Sequence, residues 1–311
     1  MLRIITGDRQ RPALQFGPSR APDIRVRNTS SSVEQERRET PVMTQDAGGE
    51  RLEGGSQTEV SRLGDVVIRQ HGPQSETVIR LLGHLGDRGF EAAPRPVDGG
   101  FTIDGDEQLT YIEGSSPQPL AWNDEAAWHI GRLVRELHNA TSDFDSGSSP
   151  AWRPWFARSL PGSSPVIGHG DLGPWNILDR ESLPVAFIDW DNAGPVDAVS
   201  ELAQVAWLNA QLHDDDVAEF NALPDTATRL AQCAAILDGY ELSSDQRVGF
   251  VDRMIEFALR STREEAQTYA ITSDTTSPAP DGFPILWAVT WRARAAAWML
   301  DHRSEIERSI S

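Results

Sequence analysis

A chain of 311 residues with 39% hydrophobic and 24% charged residues can build one large domain or two lobes, and its composition is globular rather than disordered. A formal net charge of −19 argues against a nucleic-acid partner, whose phosphates would be repelled, and is compatible with a cationic ligand. No stretch approaches the ~18 consecutive apolar residues of a membrane span, and the opening MLRIITGDRQRP lacks the apolar core of a secretion signal, so the expectation is a cytoplasmic protein with no membrane partner.

All 28 basic residues are arginine, so chemistry that ordinarily uses a lysine must use arginine or do without. The one cysteine, Cys233, lies in an apolar helical pattern beside Ala234, Ala235 and Ile236 and reads as a small buried hydrophobe. Residues 1–50, rich in Arg, Ser, Thr, Pro and Gln without a sustained period, read as a disordered leader, with Met43 a second candidate start.

From about Arg51 the pattern becomes that of a small lobe, residues 51–114. Gly54-Gly55-Ser56 precedes a turn at Leu63-Gly64-Asp65, and the β-branched run Val66-Val67-Ile68-Arg69 predicts a strand. A helix follows from about Gln74 to Arg88, with Val78, Leu81, Leu82 and Leu85 on one face. Phe101-Thr102-Ile103 and Gln108-Leu109-Thr110-Tyr111-Ile112 read as two strands around Asp104-Gly105-Asp106.

Residues 115–311 form the second, mainly helical lobe. Segment 123–140 predicts a helix capped by Asn123, with Ala126, Ile130, Leu133, Val134 and Leu137 inward. Asn176-Ile177-Leu178 and Val185-Ala186-Phe187-Ile188 predict a hairpin, and residues 198–309 three or four amphipathic helices broken by a loop near 272–284.

The chemistry concentrates in His169-Gly170-Asp171-Leu172-Gly173-Pro174-Trp175-Asn176 and Ile188-Asp189-Trp190-Asp191. Phosphoryl transfer needs one carboxylate to orient the acceptor hydroxyl and receive its proton, and oxygen donors to hold Mg²⁺ on the phosphates. Asp171 and Asn176 keep the five-residue offset of that machinery, and the hairpin brings Asp189 back to the same end.

HGDLGPWNIL followed by FIDWDNAGP resembles the catalytic and metal loops of aminoglycoside phosphotransferases and their choline-kinase relatives, and the GPWN form is similar to a bacterial subgroup labelled trifolitoxin-immunity-like. The resemblance implies a two-lobed, protein kinase-like α+β fold with Asp171 as catalytic base and Asn176 and Asp189 as Mg²⁺ ligands. His169 and Asp191 would support the loop. Gly55 and Ser56 would cover the phosphates of ATP or GTP, Tyr111 and Ile112 would meet the base, and Glu76 would take the place of the helix glutamate in the small lobe. Two positions depart from the family pattern: Arg69 stands where a strand lysine grips the phosphates, and Glu201, with Asp197 ahead of it, stands where the helix after the metal loop usually carries aspartate.

The leading expectation is therefore Mg²⁺-dependent transfer of a γ-phosphate to the hydroxyl of a small molecule, with nucleotide-binding or immunity-type function without efficient turnover as the alternative. The acidic run Asp214, Asp215, Asp216 and Glu219 reads either as an amine-attracting rim or as a solvated turn between helices.

Overall fold

The structure, a computed structural model, describes residues 50–51, 60–118, 121–276 and 284–311. Residues 1–49, and with them nearly all of the expected leader, and the Gly54-Gly55-Ser56 stretch lie outside the described residues.

The smaller lobe is an antiparallel sheet with one helix. Its elements in chain order are β1 (Glu50–Arg51), β2 (Val60–Leu63), β3 (Val66–Arg69), α1 (Ser75–Asp87), β4 (Pro96–Phe101) and β5 (Glu107–Thr110), with strand order β1-β2-β3-β5-β4. The β3–β5 register sets Arg69 directly opposite Glu107. α1 buries Val78, Leu81, Leu82 and Leu85, the apolar face that the sequence predicts. The helix lies so close to the sheet that a Cβ on Gly100, at φ +91°, would come within 2.4 Å of Ile79 Cγ2. The strand expected at 101–103 instead occupies Pro96–Phe101, because β4 is a sheet edge where a proline costs no ladder bond, and residues 102–106 form the turn.

The larger lobe begins with α2 (Asp124–Ala140), where the Asn123 side chain accepts a 2.8 Å hydrogen bond from the Ala126 N–H. It continues through β6 (Pro165–Gly168), β7 (Ile177–Arg180), β8 (Leu183–Phe187) and β9 (Gly194–Asp197). Strands β6 and β9 pair with each other, and β7 with β8, as two short antiparallel ribbons. The helices that follow are α3 (Ala198–Asn209), α4 (Asp215–Phe220), α5 (Thr226–Gly239), α6 (Ser244–Arg247), α7 (Phe250–Thr268), α8 (Ile285–Asp301) and α9 (Arg303–Ser309). These seven, among the described residues, exceed the three or four expected, because α4, α6 and α9 are too short to show a helical period.

Three helices of this lobe brace the site: α3, and the crossing pair α2 and α5. α3 is buried on every face, including Ser200, Glu201, Gln204 and Asn209, so it is a polar-carrying core helix rather than the amphipathic one expected. α2 and α5 cross at two glycines: a Cβ on Gly131 would sit 1.9 Å from the Ile236 carbonyl oxygen, and one on Gly239 1.9 Å from that of Trp128. Among the described residues no helix is long and apolar enough to cross a membrane.

The Asn123 cap gives a direct test of the first helix of this lobe. Asn123→Ala removes a capping acceptor worth about 1 kcal/mol, so the melting temperature is expected to fall by roughly 2–4 °C. An unchanged melting temperature in calorimetry would show that α2 starts without help from that side chain.

Candidate active site

Between β6 and β7 the chain makes a tight excursion, residues 169–176, that closes in a short 3₁₀ turn at Pro174–Asn176. Gly170 allows the first bend: it sits at φ +86°, and a Cβ there would lie 2.2 Å from the Asn192 carbonyl oxygen. His169 is wholly buried and packs against Trp190, ring centroids 4.5 Å apart and planes tilted by 55°. Its Nε2–H donates to the Ile188 carbonyl at 2.9 Å and its Nδ1 accepts from the Asp171 N–H at 3.3 Å, an arrangement that needs the neutral ring. Burial pushes the imidazole down to about 4, so it stays neutral and ties the 169–176 excursion to the end of β8.

Asp171 is partly buried, and its Oδ2 faces the Asn176 amide at 3.0 Å and the Trp175 indole N–H at 3.4 Å. The same Asn176 amide donates to the Asp171 carbonyl at 2.8 Å, which turns its Oδ1 away from Asp171. The Asp171 carboxyl is raised to about 6, first by burial and then by the Asp189 charge, against the pull of Trp175, Arg292 and Asn176.

Asp189 follows β8 with a left-handed backbone, φ 61° and ψ 71°, a conformation that Asp tolerates better than most residues. Its side chain is 52% exposed and lies 3.7 Å from Arg69 Nη1. The Arg69 guanidinium also contacts Glu107 at 3.1 Å through Nε and hydrogen-bonds Asp191 through Nη2. Burial alone would lower the Arg69 value, but Asp191, Glu107 and Asp189 together hold it above the ordinary range. Arg158 secures the far side of the 188–193 segment, donating to the Asn192 and Ala193 carbonyls at 3.1 and 3.0 Å.

Beneath this surface lies Glu201 of α3, wholly buried. Its Oε1 accepts from the Gly170 N–H at 2.6 Å and its Oε2 meets His138 Nε2 at 2.6 Å, while His138 Nδ1 meets the Tyr240 hydroxyl at 2.8 Å. A Cβ on Gly168 would fall 2.0 Å from Glu201 Oε2, so glycine there makes room for the longer acid. Burial alone would raise the Glu201 carboxyl, but His138 and the Gly170 N–H hold it below its usual range. Asp197 serves the start of the helix instead, capping α3 through the Ser200 N–H at 2.9 Å and accepting from the Ser164 N–H at 3.1 Å.

The structure thus brings together Asp171, Asn176, Asp189, Asp191, Arg69 and His169. Glu76 does not join them: it is exposed in the first turn of α1, and the helix reaches Arg69 through Ser75, whose hydroxyl donates to Glu107. The Tyr111 N–H is taken by the Asp65 carbonyl at 2.8 Å and its ring lies 3.6 Å under the Arg62 guanidinium, while Ile112 is half-buried in the connection between lobes. Gly55 and Ser56 lie outside the described residues. Three residues near Asp171 and Arg69 receive no role from sequence reasoning: Glu107, Trp175 and Arg292. Glu107 shows itself only once the strand register is known, and Arg292 lies more than a hundred residues from the charge it faces.

Among the described residues no cluster of three or more His, Cys, Asp or Glu could hold a metal ion. The site instead offers one half-exposed carboxylate, Asp189, and one amide oxygen, Asn176, a hard-oxygen set that fits a cation sharing its remaining positions with phosphates and water.

Residues 118–241 match the phosphotransferase enzyme family. The trifolitoxin immunity protein of Rhizobium leguminosarum bv. trifolii is 47% identical over 260 residues, 84% of this chain and 98% of that protein. Among solved structures, a choline/ethanolamine kinase family protein from Mesorhizobium loti covers 86% of this chain and 95% of its own at a TM-score of 0.55 and 16% identity. Amicoumacin kinase hAmiN, in complex with AMP-PNP, Ca²⁺ and Ami, covers 85% and 89% at 0.56 and 14%. These two likenesses show the kinase-like two-lobed α+β fold.

The raised Asp171 carboxyl has a stability signature. Its native value of about 6 exceeds its unfolded value, which is about 3.9, so folding favours the protonated acid. That contribution is complete below about pH 4 and is lost as the pH rises through about 6, a loss of roughly 1–3 kcal/mol. Asp171→Asn cannot ionise and escapes it. In denaturant titrations the mutant is expected to gain on wild type between about pH 4 and 6 and to keep a constant lead above. Parallel curves would place Asp171 in bulk-like water.

Proposed function

We propose that this chain, which belongs to the phosphotransferase enzyme family, transfers the γ-phosphate of ATP or GTP to a hydroxyl group of a small molecule. The observation that carries this reading is the convergence of Asp171 and Asn176, in direct hydrogen bond, with Asp189, whose charge acts on Asp171.

In this mechanism the acceptor hydroxyl donates to the Asp171 carboxylate. As its oxygen forms a bond to the γ-phosphorus, the proton passes to Asp171, and the bond from the γ-phosphorus to the β-phosphate oxygen breaks to release the nucleoside diphosphate. Asp171 then returns the proton to solvent. Positioning and electrostatics supply most of the acceleration in this chemistry, so the hydrogen bonds from Asn176 and Trp175 matter as much as the basicity of the carboxylate. Asn176 and Asp189 would hold Mg²⁺, which neutralises the charge on the phosphates. Arg69 would present its planar fork to the phosphate oxygens in the place of the missing lysine. Glu107 takes the supporting part expected of Glu76, since it is the carboxylate opposite Arg69 across the sheet. Because the Tyr111 N–H is already engaged, recognition of the base falls to the main chain at Ile112.

One observation favours the second reading, nucleotide binding in an immunity-type protein with little turnover. The Arg69 guanidinium is held by Glu107, Asp189 and Asp191, and must give up some of these contacts to reach a phosphate.

Asp171→Asn separates the two. A positioned general base is worth ~10²–10⁴ in rate. The mutant is therefore expected to bind MgATP like wild type while phosphoryl transfer, or slow hydrolysis of ATP by water as the fallback assay, falls by that factor. Wild-type kcat/KM should rise tenfold per unit up to a pH of about 6 and level above it, where Asp171 is ionised. Tight MgATP binding with neither transfer nor hydrolysis in wild type would favour the binding-protein reading. Equal rates in mutant and wild type would remove Asp171 from the chemistry.

A further inference from the structure

The contacts of the Arg69 guanidinium divide by lobe. Its Nε edge pairs at 3.1 Å with Glu107, which the β3–β5 register fixes opposite it in the small lobe. Glu107 is itself buried and held by the Ser75 hydroxyl, which accepts in turn from the Gly72 N–H at 2.7 Å. The Nη edge points into the large lobe, with Nη1 3.7 Å from Asp189 and Nη2 bonded to Asp191. One edge is therefore fixed by its own sheet, and the other occupies the carboxylates that follow β8.

Asp189 is also the carboxylate proposed to hold Mg²⁺ with Asn176, and the Arg69 side chain, 11% exposed, already supplies its counter-charge. Arg153 acts on Asp189 too, but it is exposed and its charge is screened by solvent and salt. A divalent ion arriving alone would have to coordinate Asp189 beside a guanidinium that repels it. One carboxylate with one amide oxygen holds such an ion weakly even without that repulsion. Displacing the Nη edge first is no easier, because a shielded guanidinium that loses its partners finds little water to replace them. Phosphate removes both obstacles. Its oxygens accept the guanidinium fork in place of the carboxylates, and they supply the cation with the ligands that the protein lacks.

We propose that Arg69 is the resident cation of this site: it excludes a free divalent ion from Asp189, so the site takes metal only together with nucleotide phosphates, which draw the Nη edge away while Glu107 keeps Nε in place. The part played by the phosphates rests on the phosphotransferase reading; the exclusion of free metal does not.

Metal alone tests the exclusion. Mn²⁺, which suits the same oxygen donors as Mg²⁺, is titrated into the full chain without nucleotide, and the free ion is followed by electron paramagnetic resonance. Arg69→Gln combined with Glu107→Gln removes a cation and an anion together, so the net charge of −19, and with it the diffuse attraction of cations, is unchanged. The double variant is expected to bind Mn²⁺ about tenfold tighter than wild type, the equivalent of ~1.4 kcal/mol, and adding Asp189→Asn should abolish that gain. Arg69→Lys covers the case in which the double variant does not fold: its ammonium keeps a charge for Glu107 but lacks the second edge of the fork, so Mn²⁺ affinity should rise in the same direction. Equal Mn²⁺ affinity in wild type and the folded variants, or a gain that survives Asp189→Asn, would overturn the proposal. ATP turnover by wild type is followed in parallel. Turnover without the Mn²⁺ gain refutes the resident cation and leaves the transfer reading standing. The gain without any turnover supports the resident cation and refutes the transfer reading.

Discussion

The candidate active site depends on one buried contact, the Glu201 carboxylate on the Gly170 N–H. An ion at zero exposure is costly unless every lone pair is used, and breaking one partner of such a contact is far worse than never having built it. Here His138, itself fixed by Tyr240, takes the second oxygen. The two glycines flanking His169 are what let the acid approach: one would collide with Glu201 and the other with Asn192 if either carried a side chain. Asn209, two turns further along α3, donates to the Leu172 carbonyl at 2.8 Å, so a single helix grips the loop on both sides of Asp171. The extra methylene of glutamate is accommodated because Gly168 leaves the space for it.

The second constraint is electrostatic and joins the lobes. β3 of the small lobe delivers Arg69 to Asp189 and Asp191, while Glu107 steadies it from the neighbouring strand. A guanidinium can satisfy several carboxylates at once through its fork, which an ammonium does less well. Arginine at this position therefore does more than the lysine the resemblance leads one to expect: it contacts directly both Asp189, the proposed metal ligand, and Asp191. Under the proposed function a nucleotide would compete with those contacts, and the outcome of that competition would separate an efficient transferase from a binding protein.

Much of this was legible in the sequence because the informative residues are local. The Asp171 to Asn176 offset, the hairpin that follows and the terminal Asp189 lie within nineteen positions, and period and turn chemistry suffice to fold such a segment on paper. The α1 and α2 faces were readable for the same reason. Register was not readable: Glu107 pairs with Arg69 only because β3 and β5 align those two residues, and a shift by one would have sent Glu107 to the other face. Nor was burial readable where polar residues interrupt the pattern, as in α3, whose Ser200, Glu201, Gln204 and Asn209 look like a solvent face until their partners are known. The acidic run at 214–216 illustrates the reverse case, where composition left an amine-attracting rim and a solvated turn both open and the structure supplies Arg294 and Trp298 as partners.

The claim that Glu201 holds the loop carrying Asp171 can be read directly by residue-resolved amide hydrogen exchange on wild type and Glu201→Gln. Losing a charge-assisted hydrogen bond to the Gly170 N–H is expected to cut protection at residues 168–172 by about tenfold or more, the equivalent of ~1.4 kcal/mol or more, while the β7–β8 hairpin and α2 keep theirs. Unchanged exchange at Gly170 in a folded Glu201→Gln protein would contradict the account, because the loop would then be held by something other than the buried carboxylate.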